Sequence, residues 1–277
     1  MNPRGAPVSR LRWSGVTDRG RVRQNNEDTF LGQQFNSQEV HHLGKVGDAT
    51  TELADFVFAV SDGMGGAMAG EFASRITAEK ITRLLPRSFK QSALGMETGV
   101  DDVLTELFDQ IHKALTFVGA SYEETRGMQA TLSMCWFTPG WMHFGHIGDT
   151  RIYYLPRTGG IKQLTDDDTY VGWMFRQGQL TERQAREHPQ RSALQKALGA
   201  GNQFVTPQIG SVGYEPGDLF LLCSDGLVEG LFNDQLLDLL RNPDPAEAAL
   251  SPAQRLVNAS LERSGRDNTT ALVIQIG

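Results

Sequence analysis

The sequence predicts a mixed α and β fold (class α+β) that is built on antiparallel sheets, and three observations favour it. Several short segments are rich in β-branched and aromatic residues and show the two-residue period of strands. A smaller number of segments show the one-sided apolar stripe of a helix. A Pro-Gly turn joins two of the strand segments, as in an antiparallel hairpin.

Seven segments predict strands, and each is bounded by Gly, Pro or Asp. Two of them follow the turn at Pro139-Gly140 and are separated only by residues 148–150, which predicts consecutive antiparallel hairpins. The seven segments are residues 28–35, 55–60, 130–137, 141–148, 151–155, 218–223 and 270–276.

Three segments predict helices. Residues 101–118 carry an apolar stripe with acidic residues in the first turn. A second helix contains Phe72 and is expected to end at Pro86, and a third covers residues 233–242 with Asn233 as its cap. The polar or Pro/Gly-containing stretches between the elements predict loops at residues 36–55, 86–99 and 242–252.

Length and composition predict one ordinary globular domain. The chain has 277 residues, 39% of them hydrophobic and 21% charged, which is far from the profile of a disordered chain. The net charge of −7 argues against a broad surface for nucleic acid. No segment reaches the roughly eighteen apolar residues of a membrane span, so a cytoplasmic protein without membrane contact is expected.

The two cysteines predict buried, unreactive thiols. Cys135 and Cys223 both lie within apolar runs, where a free thiol serves as a small hydrophobic side chain. Six positions after them stand Trp141 and Glu229. The Cys-x5-Arg arrangement of thiol-dependent phosphatases is therefore missing.

Acidic residues stand at the ends of several predicted strands. Any one of them taken alone is better explained by a turn, because Asp binds local backbone groups there. If adjacent strands bring them together, they would repel one another and raise each other's pKa unless cations lay between them. Oxygen ligands suit Mg²⁺ or Mn²⁺, and the six histidines show no metal spacing. The acidic residues are Glu27, Asp28, Asp62, Asp149, Asp225 and Asp267.

Two further features fit phosphate chemistry. The glycines that follow Asp62 allow close approach of the backbone, so the Gly63 carbonyl is a candidate ligand, although a tight strand-to-helix turn explains them equally. Arg23, four residues before Glu27, is a candidate for a bidentate phosphate contact or simply a surface arginine. Two divalent ions held by such a site can activate water near neutral pH.

Six motifs in order resemble the metal-dependent serine/threonine protein phosphatases (the PPM or type 2C family), and more closely their bacterial members. The motifs are RVRQNNED, VSDGMGG, GDTR, LTDDDTYV, LLCSDGL and GRDNTT, and the match extends from Trp13 to Ile276. The resemblance implies a four-layer α-β-β-α sandwich of two antiparallel sheets. It also implies one catalytic domain at residues 13–277 after an extension at 1–12, with a flap at about 165–190.

The resemblance implies a role for each matching residue. Asp62 would bridge two ions, Asp225 and Asp267 would complete the first site, and the Gly63 carbonyl with Glu27 would serve the second. A third, weaker ion would lie at Asp149 and Asp225. Asp28 would orient ligand waters, and together with Arg23 and Asp62 it would form the catalytic set, in which Arg23 binds the phosphate. Asn268 and Thr270 would orient Asp267.

The activity implied is hydrolysis of phosphoserine and phosphothreonine in proteins by a metal-activated water, with Mn²⁺ or Mg²⁺. The partners implied are phosphorylated proteins, including an opposing serine/threonine kinase, and a monomer is expected. An alternative is a catalytically weak regulator that keeps the fold and binds phosphoproteins, and its signature would be a lost metal ligand. A two-metal nuclease is disfavoured by the acidic charge balance.

Some positions depart from the family pattern. Gln129 and Ala130 stand where glycine and threonine are typical, Thr150 replaces a serine, and Asp168 occupies a position that is often histidine. None of these changes removes a predicted metal ligand.

Overall fold

Two antiparallel sheets lie face to face at the centre of the fold in the computed structural model of the chain, which describes residues 8–36, 39–93, 99–201, 204–247 and 249–277. The strands are β1 (Arg10–Asp18), β2 (Asp28–Phe35), β3 (Val40–His42), β4 (Val46–Thr50), β5 (Asp55–Met64), β6 (Gln129–Ala130), β7 (Leu132–Thr138), β8 (Trp141–Ile147), β9 (Arg151–Leu155), β10 (Lys162–Gln163), β11 (Gln208–Gly213), β12 (Leu219–Cys223) and β13 (Thr269–Ile276).

One sheet has six strands in the order β10-β9-β12-β13-β1-β4. The other has seven, in the order β11-β8-β7-β5-β2-β3, with β6 paired to the end of β5. The helices are α1 (Ala67–Ala93), α2 (Val100–Ser121), α3 (Tyr170–Arg176), α4 (Glu182–Glu187), α5 (Asp225–Gly230), α6 (Asn233–Arg241) and α7 (Pro252–Arg263).

Three layers of apolar side chains hold these elements together. Alternate residues of β5 show the arrangement: Phe58 points into the core between the sheets, whereas Val57 points to the core under α1 and α2. A third core lies between the six-stranded sheet and helices α5 to α7. Because β5 is buried on both faces, its sequence is a continuous apolar run instead of an alternating one. The predicted four-layer sandwich is confirmed.

Several local predictions are confirmed. The stripe on α2 is buried through residues such as Leu104 and Phe108, and Cys135 and Cys223 are free and buried. None of the helices within the described ranges combines the length and the apolar composition that a membrane crossing needs.

The prediction of two consecutive hairpins at residues 141–155 is wrong in its second half. β7 and β8 do form a hairpin, but β8 and β9 lie in different sheets. At Gly148 the backbone has a φ of +108°, a conformation that glycine adopts readily. The chain therefore crosses from the seven-stranded sheet to the six-stranded one, and Asp149 lies at the crossing.

Helix boundaries also differ from the predictions. α1 does not end at Pro86 but continues to Ala93, although a proline inside a helix removes one backbone hydrogen bond and crowds the preceding turn. Phe232, not Asn233, is the N-cap of α6, and its N–H donates to the Gln235 side chain.

The remaining errors are elements that the sequence analysis missed or assigned to loops. The predicted loop at 36–55 contains β3 and β4, and β1 begins at Arg10, inside the segment assigned to an extension. The loop predicted for 86–99 is helical to Ala93, and its residues 94–98 lie outside the described part of the chain. The strands β1, β10 and β11 and the helices α3, α4, α5 and α7 were not predicted.

Candidate active site

The two sheets meet at one edge, where the ends of β2, β5 and β13 and the start of α5 bring acidic residues together. Asp28 and Asp62 are directly opposite each other in the pairing of β2 with β5. Like charges in such positions repel. Their placement needs support from the surrounding residues.

Asp28 receives that support from the opposite sheet. Its Oδ2 accepts hydrogen bonds from Ser224 Oγ and Thr270 Oγ1, both at 2.7 Å. Asp28 is only 5% exposed, and its other oxygen, Oδ1, has no partner. Burial raises the pKa of Asp28 to about 6, against the effect of the two hydroxyl donors. This carboxylate joins the two sheets and keeps one buried acceptor free.

The backbone of Asp62 is clamped by Thr131. The Asp62 N–H donates to Thr131 Oγ1 at 2.9 Å, and the Thr131 N–H donates to the Asp62 carbonyl at 2.9 Å. Loss of hydration, followed by repulsion from Asp28 and other aspartates, holds the pKa of Asp62 well above its ordinary value. The strand thus presents a carboxylate whose charge is not balanced by the protein.

Asp225 and Asp149 extend the acidic group toward the six-stranded sheet. Asp225 is the first residue of α5, and loss of hydration together with the charge of Asp267 raises its pKa to about 7. Burial and then the charge of Asp225 hold the pKa of Asp149 well above its ordinary value. Each raised pKa has the same physical origin, a carboxylate that has lost water and faces other carboxylates.

Glu27 and the Gly63 carbonyl converge beside Gly70 in the first turn of α1. A methyl group at Gly70 would lie 2.5 Å from Glu27 Oε2 and 2.7 Å from the Gly63 oxygen. Two oxygen atoms from separate parts of the chain therefore face a space that only glycine leaves open. This space was not predicted, because nothing in the sequence connects Gly70 to Glu27.

Asp267 lies next to Arg23, and Asn268 holds the segment that carries Glu27. The Arg23 guanidinium contacts Asp267 Oδ2 at 2.7 Å. Asn268 Oδ1 accepts a hydrogen bond from the Glu27 N–H at 2.7 Å. The backbone N–H of Asn268 donates to Asp267 Oδ1 at 2.8 Å. Thr270 was expected to orient Asp267, but its hydroxyl contacts Asp28.

The site fits divalent cations by three observations. All its donors are oxygen atoms, Asp28 Oδ1 is buried without a partner, and the space beside Gly70 is lined by two further oxygens. Among the described residues, no three Asp, Glu, His or Cys groups already surround one point, since Asp267 faces Arg23 and Asp28 faces two hydroxyls. The acidic side chains of this edge thus lie near one another, but no three of the described ones surround a common point.

The flap, residues 165–190, lies beside this edge and contains α3 and α4. Arg186 fixes α4 to the body of the protein, since its Nη1 donates to the Leu231 carbonyl at 2.7 Å and its guanidinium stacks over Phe232 at 4.1 Å. Between the flap and the body runs a groove of about 740 Å³ whose wall includes Asp149 and Asp225. A substrate in this groove would reach the acidic site.

The departures from the family pattern lie around this site. Gln129 and Ala130 form β6, which pairs with Met64 and Gly63 and so supports the turn after Asp62. Asp168 accepts a hydrogen bond from the Gly148 N–H at 3.1 Å and contacts Lys196 at 3.3 Å, which ties the flap to the crossing.

A two-sheet sandwich with acidic oxygen atoms and an arginine gathered at one edge is the arrangement expected of metal-dependent enzymes that hydrolyse phosphate esters. The family model described as protein phosphatase 2C matches residues 46–264. The chain belongs to the protein phosphatase 2C family, as its six motifs predicted.

Named relatives agree with this assignment. The serine/threonine protein phosphatase PstP of Mycobacterium tuberculosis is 32% identical over 270 residues, 96% of this chain, and the chain spans only 45% of that relative's length. The serine/threonine phosphatase Stp of Listeria welshimeri is 28% identical over 94% of this chain and 93% of its own.

Solved structures share the fold. A serine/threonine phosphatase of S. agalactiae has a TM-score of 0.78 at 25% identity, with 96% of this chain and 100% of that chain covered. The catalytic domain of PstP, in complex with two manganese ions, has a TM-score of 0.73 at 29% identity and 98% and 99% coverage.

Neutralising one acidic residue should stabilise the protein when metal is withheld. Folding raises the pKa of Asp225 from 3.8 to about 7, so its ionisation destabilises the fold as the pH rises through that interval. In chelator at pH 7.5 we expect Asp225→Asn to unfold at a higher temperature than the wild type, by roughly 2–4 °C for each kcal/mol gained. Well below pH 3.8, where Asp225 is neutral in both the folded and the unfolded state, the difference should vanish.

Thermal unfolding at several pH values measures this effect. Asp102→Asn, an exposed aspartate in the first turn of α2, is the matched control and should show little of it. A lower melting temperature for Asp225→Asn at pH 7.5 in chelator would contradict the account of the acidic edge.

Proposed function

We propose that the chain hydrolyses phosphoserine and phosphothreonine in proteins and that it uses Mn²⁺ or Mg²⁺. The observation that carries the proposal is the group of acidic side chains with raised pKa at the edge where the sheets meet. At neutral pH such a group either takes up protons or binds cations that offset its charge, and a bound cation would return the carboxyls to their ionised form. Its position beside a substrate-sized groove favours catalysis over a purely structural ion site.

The residues proposed to hold the ions are those that the family resemblance implies. Asp62 would serve both ions, Asp225 and Asp267 would complete one site, and Glu27 with the Gly63 carbonyl would serve the other. Asp149, next to Asp225, is the proposed ligand of a third ion. When bound, divalent ions lower the pKa of a water molecule and offset the negative charge of a phosphate group.

Arg23 is the proposed phosphate ligand. Its side chain is 54% exposed and is held at the site by Asp267. Its pKa is raised, first by the hydrogen bond to Asp267, so the guanidinium stays charged. A planar guanidinium can donate two parallel hydrogen bonds to phosphate oxygens. A phosphate group and Asp267 would compete for the same donor.

Asp28 and Asn268 are proposed to position the groups that act directly. Asp28 Oδ2 is occupied by Ser224 and Thr270, so Oδ1 is left to accept a hydrogen bond from a water molecule in the site. Asn268 fixes the backbone of Glu27. Ser224 is thereby a supporting group, because its hydroxyl is committed to Asp28.

The regulator hypothesis lacks its expected signature, since every predicted ligand residue is present in the sequence. The opposing kinase remains a prediction from the family resemblance, and a monomeric state and a cytoplasmic location remain predictions from the sequence.

Loss of the central carboxylate should abolish activity. We expect Asp62→Asn and Asp225→Asn to release phosphate from a phosphothreonine peptide at least about a hundredfold more slowly, the scale of single electrostatic groups in catalysis. Wild-type activity should disappear in chelator and return with Mn²⁺ or Mg²⁺. Asp102→Asn is the control, and full activity in chelator would disprove the proposal.

Gly70→Ala should weaken metal binding without a loss of helix propensity. Alanine is favoured over glycine within a helix, but its methyl group would occupy the space faced by Glu27 and the Gly63 carbonyl. We expect Mn²⁺ affinity at one site to fall about tenfold or more, as when the support of a metal ligand is disturbed. Titration calorimetry measures it. Gly99→Ala, whose methyl group would meet only Asp102 at 3.6 Å, is the control.

Arg23→Lys tests the phosphate contact. Lysine keeps the charge but loses the paired donors, so kcat/KM for a phosphopeptide should fall by about 10–100-fold, the range expected for hydrogen bonds to a charged group. Steady-state kinetics with saturating Mn²⁺ give the value. If Arg23→Lys matches the wild type, the arginine has no phosphate-binding role.

A further inference from the structure

Some arginines in the wall of the groove beside the flap form ion pairs, and others do not. Its wall includes four arginines that contact acidic residues of the same wall: Arg151 with Asp167, Arg176 with Asp166, Arg186 with Glu182, and Arg191 with Glu229. These pairs neutralise one another.

Three other arginines of the wall have no acidic partner among the residues that the structure describes: Arg183, Arg263 and Arg266. All three are exposed. Arg183 belongs to α4 in the flap, whereas Arg263 ends α7 and Arg266 directly precedes Asp267. We call this set the arginine rim. Apart from Asp149 and Asp225, the groove wall has a single acidic side chain outside the four pairs, Glu187.

A fourth arginine continues the positive charge outside the groove. The Arg21 N–H donates to the Gly265 carbonyl at 2.7 Å, and a methyl group at Gly265 would lie 3.3 Å from Arg21 Cδ. Arg21 is exposed and has no ion pair in the described part of the chain. Unpaired cations thus extend from the flap, past the end of α7, to the segment that carries Arg23.

The rim contrasts with the charge of the whole protein. The chain has a net charge of −7, so an acidic substrate is repelled at long range. Arginines that have no partner on the protein and lie along a concave surface can form charge-assisted hydrogen bonds with carboxylates of a bound peptide. They lie beside the phosphate site and not at Arg23 itself, so they would contact residues that flank the phosphorylated one.

We propose that the arginine rim selects phosphoproteins whose phosphoserine or phosphothreonine is flanked by aspartate or glutamate. This proposal rests on the proposed phosphatase function and adds to it the chemical class of substrate. Arg186 supports it by holding α4, and hence Arg183, against the body of the protein.

The test compares kcat/KM for three phosphothreonine peptides of equal length that carry acidic, neutral or basic flanking residues. For the wild type at low salt we expect about tenfold higher kcat/KM with acidic than with basic flanks, the combined effect of a few exposed ion pairs. The ratio should shrink as salt screens these contacts. The salt dependence can be measured with the wild-type protein alone.

Variants assign the preference to particular residues. The triple variant Arg183→Gln, Arg263→Gln, Arg266→Gln should reduce the ratio to near one, and the single variant Arg183→Glu should shift preference toward basic flanks. The matched control is Arg157→Gln, an exposed arginine at the far end of the sandwich. Its ratio should equal that of the wild type.

The outcomes separate the two proposals. No metal-dependent release of phosphate from any of the three peptides would overturn the proposed function. Release with equal efficiency from all three, or a preference for acidic flanks that the triple variant keeps, would overturn the role of the rim and leave the phosphatase function intact.

Discussion

Repulsion among aspartates at one edge of the sandwich is the constraint on which the site depends. Asp28 and Asp62 face each other across paired strands, and Asp225 and Asp149 add charge from the other sheet. The protein offsets only part of this charge, through hydroxyl donors to Asp28 and the guanidinium groups of Arg23 and Arg151. The rest of the fold must hold these carboxylates in place against their repulsion. Divalent cations would offset the remaining negative charge.

Polar contacts between the sheets do much of this holding. Asp28 in the seven-stranded sheet accepts from Ser224 and Thr270, which belong to the six-stranded side. Thr131 fixes the backbone of Asp62. Because Ser224, Thr270 and Thr131 are all fully buried, a substrate cannot reach their hydroxyls, and the proposed catalysis relies on water.

Local patterns predicted antiparallel sheets and acidic residues at strand ends, whereas the family resemblance supplied the four-layer sandwich. An apolar run that ends in Asp is visible in one dimension, and the ordered motifs identified the family. The pairing partners were not visible: the crossing at Gly148 looked like a hairpin, and β4 and β11 are polar edge strands with little apolar signal. The space beside Gly70 depends on residues far apart in sequence. Pro252 was predicted to be a loop residue, but it begins α7 at the position where proline is favoured.

The flap lies in the connection between β10, in the six-stranded sheet, and β11, in the seven-stranded sheet. The flap contributes no strand to either sheet. The length of the flap can therefore change with little effect on strand pairing. A doubling of loop length costs only about 0.6 kcal/mol in closure entropy. The fold thus separates two requirements: the acidic edge is built from the paired strands, whereas the one residue that the flap adds to the proposed arginine rim, Arg183, lies on a segment whose length can vary.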